Sequence, residues 1–126
     1  MVAVIAPLLS DEPPEVPQRA GLGDRFHYFR GRSGKRYLFS TVPHGELADF
    51  RSAVVIYARR SAGGRLTADW ATLVDVFGRP VGRDRRWPQA DRDTVVLVHL
   101  LAKSEADRLN LIADLSAAAA SLPLAA

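Results

Sequence analysis

Two short apolar runs constrain this chain more than anything else in it: Ala53-Val54-Val55-Ile56-Tyr57-Ala58 and Thr94-Val95-Val96-Leu97-Val98-His99-Leu100-Leu101. Branching at Cβ restricts χ1 and favours the extended backbone. A run that is apolar at successive positions reads as a strand covered on both faces. The fold must place these strands inside a sheet and find apolar cover for each side. No run approaches the roughly 18 residues of a membrane-spanning helix. With 126 residues, 48% hydrophobic and 25% charged, the chain has the composition of one globular domain.

Turn chemistry organises the rest. Arg25-Phe26-His27-Tyr28-Phe29-Arg30 and Lys35-Arg36-Tyr37-Leu38-Phe39-Ser40-Thr41-Val42 flank Gly31-Arg32-Ser33-Gly34. Two aromatic runs around a short glycine-containing loop predict a β-hairpin, because glycine supplies the positive φ of tight turns. Tyr37 and Phe39 share one face and Leu38 takes the other. Pro43-His44-Gly45 ends that strand, and 46–51 is a connector or one helical turn. Trp70, Leu73, Val74 and Phe77 fall at i, i+3, i+4 and i+7, with Thr67 as N-cap and Gly78 and Pro80 as stops. That spacing predicts a helix over 67–77, with a short strand over 73–77 as the alternative.

A short helix past Pro88 is a further expectation. A last helix starts at Ser104, which with Asp107 resembles a capping box, although Glu or Gln is the better third residue. It carries Leu109, Ile112 and Leu115 in its stripe and ends at Pro123. Residues 1–23 hold Pro7, Pro13, Pro14 and Pro17, which disfavour helix. They read as an arm, disordered or with its apolar start laid against a partner or the body of the domain, before a single domain over 24–126. The expected architecture is α+β: a small, mainly antiparallel sheet of about four strands with an N-terminal hairpin, flanked by two or three helices.

Several chemistries lack their residues. The absence of cysteine excludes a disulfide scaffold, a thiolate nucleophile and cysteine-bound zinc. It suits a reducing cytoplasm, and the apolar start lacks the basic segment of an export signal; a cytoplasmic location is the expectation. His27, His44 and His99 are the only histidines, and no pair has ligand spacing on a helix, so no metal or other cofactor is expected. His99, in an apolar strand, reads as a hydrogen-bonded core residue. Gly31-Arg32-Ser33-Gly34 does not lead from a strand into a helix and is not a phosphate loop.

The formal charge is +3, from 17 basic and 14 acidic residues, and it is unevenly placed. Residues 21–36 hold Arg25, Arg30, Arg32, Lys35 and Arg36 against Asp24. Residues 79–93 hold Arg79, Arg83, Arg85, Arg86 and Arg92 against Asp84, Asp91 and Asp93. The guanidinium fork matches phosphate and carboxylate. Arg30, Arg32, Lys35, Arg36, Arg79, Arg83, Arg85 and Arg86 are therefore the candidate contacts to nucleic acid or to an acidic protein partner.

Three stretches resemble a bacterial group related to the GIY-YIG nuclease domain, over about two-thirds of the chain. Phe29-Arg30-Gly31-Arg32-Ser33-Gly34-Lys35-Arg36-Tyr37-Leu38-Phe39 is similar to that group's F-x-G-x-S-G-x-x-Y-x-F opening. Ala53 to Arg60 is similar to the strand that bears the family's first tyrosine. Trp87 to Ala90, Val95 to Ala102 and Arg108 to Leu115 are similar to its closing segments. The resemblance implies a small antiparallel sheet flanked by helices, and phosphodiester cleavage by a tyrosine, an arginine and a metal-binding glutamate.

The departures fall on that chemistry. Val55 stands where the tyrosine is expected and Ile112 where the glutamate is. No Tyr-Ile-Gly occurs, and only Arg79 or Arg83 can be offered as the arginine. Without its carboxylate, a divalent ion loses its hold on the site. The leading expectation is a catalytically silent domain that acts as a binding or interaction module. The alternative is a divergent metal-dependent nuclease or other hydrolase. A homodimer is a third reading, since the apolar strands and the alanine-rich last helix can leave a patch uncovered.

Overall fold

Because both apolar runs need cover on two sides, the fold is governed by how its sheet is enclosed. The structure, a computed structural model, describes residues 2–11, 25–43, 46, 50–60, 65–81 and 94–121. Six strands come first: β1 (Val2–Leu9), β2 (Phe26–Arg30), β3 (Arg36–Val42), β4 (Ala53–Arg60), β5 (Leu66–Val74) and β6 (Thr94–His99). One helix follows, α1 (Glu105–Ala120). The strands form one sheet in the order β1-β5-β4-β6-β3-β2, and every neighbouring pair is antiparallel.

The sheet curls into a half-barrel around α1. Its two edge strands, β1 and β2, are drawn together: the Asp11 N–H, just past β1, donates to the Tyr28 carbonyl of β2 at 2.6 Å. The helix packs chiefly against β1 and also touches β2, β4 and β5. Alternation along β4 divides the interior. Val54, Ile56 and Ala58 face the helix with Phe29, Phe39, Leu97, Leu111, Ile112 and Leu115. Val55 faces the other way and packs with Val74, Val96 and Val98, half-covered by Val42, Phe50 and Tyr57. The centres of the two runs are doubly buried as read: Ala53 to Ile56 and Val96 to Val98 are at most 2% exposed, but the second strand ends at His99, and Leu100 and Leu101 lie exposed beyond it.

The hairpin forms as its glycines predict, with the Gly31 N–H donating to the Lys35 carbonyl at 2.9 Å and Gly34 at φ 89°. The last helix also starts where its cap lies: the Ser104 Oγ accepts from the Asp107 N–H at 3.0 Å. The expectation of about four strands with two or three flanking helices is overturned. Among the described residues there are six strands and one helix.

Two stretches account for the difference. The predicted helix over 67–77 is strand β5 and its turn, paired on one side with β1 and on the other with β4. A strand enclosed on both faces loses its period of two, and its apolar positions then match a helical face by chance. Phe77, the last residue of that supposed face, is 77% exposed. It sits in a turn organised by Asp75, whose Oδ1 accepts from the Phe77 and Arg79 N–H groups at 2.9 and 3.0 Å. The second stretch is the start of the supposed arm, which supplies β1. Ile5 and Leu8 are buried in the helix-facing core. Residues 12–23 of that arm, the expected helix past Pro88 and 47–49 of the connector lie outside the described residues. No helix of the described residues is long and apolar enough to cross a membrane.

Candidate functional site

The hairpin is tied to the rest of the molecule by two carboxylates from distant parts of the chain. Asp114 reaches it from α1. Its Oδ1 accepts from the Ser33 N–H at 2.9 Å, and its Oδ2 from the Ser33 hydroxyl at 2.6 Å and the Tyr37 hydroxyl at 2.7 Å. Its carbonyl oxygen accepts from the Arg32 N–H at 3.1 Å. Burial alone would raise the Asp114 carboxyl, but these hydrogen bonds outweigh it and hold the group below the ordinary carboxylate value. The same contact, led by burial, pushes the Tyr37 hydroxyl up to about 12. Gly31 is required here for space: a Cβ would land on the Asp114 carboxylate.

Asp11 reaches the hairpin from the end of β1. Its Oδ2 pairs with the Arg30 Nε at 2.7 Å and the Arg36 Nε at 3.2 Å. Burial would raise this carboxyl too, and the two guanidinium groups more than reverse the effect. The Arg36 guanidinium also lies 5.6 Å from the Tyr28 ring centre, and the Lys35 ammonium 5.5 Å from that of Tyr37. Each cation is thereby set over a ring face.

Beside the hairpin a cleft of about 620 Å³ opens between β3, the chain leaving β6, and the first half of α1. Tyr28, Lys35, Arg36, Tyr37 and Leu38 line the hairpin wall; His99, Leu101, Asp107, Asn110 and Leu111 line the other. His99 stands at the head of the cleft, where its Nδ1 lies 2.8 Å from the Leu38 carbonyl. A carbonyl only accepts, so Nδ1 carries the proton. Burial, opposed by that hydrogen bond, lowers the imidazole below its ordinary value, and His99 is neutral near pH 7. It is the hydrogen-bonded core residue that its strand context predicts.

Four of the sequence-derived basic residues, Arg30, Arg32, Lys35 and Arg36, come together on the hairpin, all exposed. Arg79 lies apart from them in sequence and element, in the Asp75-capped turn after β5. Arg83, Arg85 and Arg86 lie outside the described residues. Val55 and Ile112 are packed in separate apolar clusters on opposite faces of the sheet.

Sequence reasoning missed Asp11 and Asp114 and did not assemble the cleft. The one local sign was an aspartate beside the apolar stripe of the last helix. Among the described residues no group of three or more His, Asp or Glu is placed to hold a metal ion. Comparison with protein-family models, with curated proteins and with solved structures gives no match.

Proposed function

We propose that this domain is a non-catalytic binding module of the cytoplasm that receives an anionic macromolecule on its basic hairpin and the cleft beside it. The observation that carries this reading is the contrast between cations and carboxylates there. Arg32 and Lys35 are exposed at the hairpin tip and cleft, and Arg30 and Arg36 beside them share the single carboxylate of Asp11, which leaves positive charge in excess. Asp114 and Asp11 are instead committed to holding the hairpin in place. Tyr37 and His99, the side chains nearest to a nucleophile and a base, are likewise engaged with Asp114 and the Leu38 carbonyl. The resemblance to the GIY-YIG-like group supports the non-catalytic half of the reading, since Val55 and Ile112 at its catalytic positions are packed in apolar clusters.

The test is fluorescence anisotropy of the full chain with labelled single-stranded DNA and with labelled polyglutamate, across a salt series. The expected result is binding to at least one polymer that weakens steeply with salt and falls in Lys35→Glu and Arg32→Glu. Binding indifferent to salt, or none at low salt, would remove the proposal. Plasmid cutting with Mg²⁺ or Mn²⁺ that disappears in Arg79→Ala or Arg83→Ala would return the enzyme reading.

A further inference from the structure

The cleft has a backbone wall as well as a side-chain wall. Along β3 the odd positions turn their peptide groups towards β2, as the Gly31 N–H to Lys35 carbonyl and Thr41 N–H to Arg25 carbonyl bonds show. The even positions, Arg36, Leu38 and Ser40, turn theirs towards β6. On that side pairing ends at Ser40↔Val98. β6 itself ends at His99, and the chain departs through Leu100 and Leu101, which are 57% and 66% exposed. The ladder position opposite Leu38 and Arg36 is thus left open, and it faces the cleft. His99 Nδ1 takes the Leu38 carbonyl. Among the described residues no hydrogen bond reaches the Leu38 N–H, or the N–H and C=O of Arg36.

We propose, building on the reading above, that this slot accepts an extended acidic peptide of a protein partner, added antiparallel to β3 where β6 leaves off. Strand addition of this kind takes affinity from main-chain bonds and specificity from alternate side chains. The open groups are a donor at Leu38 and a donor and acceptor at Arg36, about 7 Å apart along the strand. A peptide matches that set, whereas a phosphodiester backbone offers acceptors alone and leaves the Arg36 carbonyl unanswered.

The faces fix the side chains. Arg36 and Leu38 share the outer face with Tyr28 and Arg30, their cross-strand partners. Peptide residues opposite Arg36 and Leu38 turn outward, onto a face where Arg30 and Arg36 share the one carboxylate of Asp11; two cations against one anion favour acidic residues there. The residue between them turns inward towards Tyr37 and Leu111 and is apolar, because Asp107 on the helix wall repels a carboxylate there. The preferred pattern alternates acidic and apolar residues.

The experiment titrates isotope-labelled full chain with acetyl-Glu-Val-Glu-Val-Glu-amide and follows its amide signals and their exchange. The expected result is saturable binding, with the Leu38 and Arg36 amides shifted and slowed in exchange. Affinity should fall roughly ten-fold when the glutamate nitrogens are N-methylated, and again when lysine replaces glutamate. Arg36→Glu, checked by circular dichroism for an intact fold, should weaken binding about five-fold. Equal binding of the N-methylated peptide, or binding that leaves both amides unchanged, would overturn strand addition. So would saturation by oligothymidylate but not by the peptide, although the anion-binding module would then stand. Loss of all anionic binding would end both.

Discussion

Asp114 and Asp11 do the same job by different physics. Each brings a remote element to hairpin β2–β3, the helix in one case and the first strand in the other. Asp114 answers neutral donors: a serine N–H and hydroxyl and a tyrosine hydroxyl, at 2.6 to 2.9 Å. Asp11 answers two guanidinium groups whose side chains are 54% and 38% exposed. Hydrogen bonds to a charged carboxylate are geometry-bound and contribute a net of about 1.5–3 kcal/mol each where water is excluded, less at an exposed donor such as Ser33. Exposed ion pairs lose most of their Coulomb energy to water and salt, and contribute about 0–1 kcal/mol. The difference teaches that the hairpin's position is set by the helix, and that the Asp11 pair trims it.

The largest blow to the Asp114 side is Gly31→Val. The new side chain displaces the carboxylate from its three side-chain and backbone donors at once. Chemical denaturation should show a loss of about 3 kcal/mol or more. A loss near zero would mean that the helix contact is dispensable. Asp114→Ala removes the acceptor without adding bulk and should lower stability by about 2 kcal/mol. Its effect must exceed that of Asp11→Ala, or the comparison is reversed.

Tyr37→Phe removes one bond of the set and should cost about 1 kcal/mol. It also removes an alkaline signature. The Tyr37 hydroxyl is raised to about 12, so its contribution is complete below pH 10 and is lost as pH climbs through that raised value. The variant's stability profile above pH 10 should be flatter than the parent's. The smallest effect is at Asp11. Asp11→Asn should cost less than about 1 kcal/mol, and the cost should shrink in roughly 1 M salt, where the screening length is about 3 Å. A cost that ignores salt would show that the Asp11 carboxylate acts through short hydrogen bonds to Arg30 and Arg36 and not through screened Coulomb attraction. Both carboxyls are held below the ordinary value. Their contributions are therefore present above the ordinary carboxylate range and decline as pH falls through the lowered values.

The cleft shows how far local sequence reaches. The hairpin, its basic tip, the two doubly buried strands and the Ser104 cap are visible because each depends on residues within a few positions of one another. Strand β5 was hidden because enclosure on both faces erases the alternation that marks a strand. Trp70, Leu73 and Val74 then fit a helix equally well, and only pairing with β1 and β4 decides. The prolines of residues 1–23 argued for an arm, yet Val2–Leu9 joins the sheet at an edge, where a proline's missing donor is tolerated. Of the candidate site, Arg30, Arg32, Lys35 and Arg36 were legible as a charge cluster. Their partners were not, because Asp11 and Asp114 are ordinary aspartates until the fold places them.

By itself, then, the sequence determined the local features: where β-branched runs force strands, where glycine permits a turn, and where Ser104 starts a helix. These follow from backbone dihedral preferences and short-range hydrogen bonds. The tertiary structure alone decided the six-strand order, the burial of Val55 and Ile112 in separate clusters, and the open ladder at Arg36 and Leu38. Those depend on contacts such as Ser33 to Asp114, 81 residues apart. Such contacts form only when burial of the shared core outweighs the entropy of closing so long a loop.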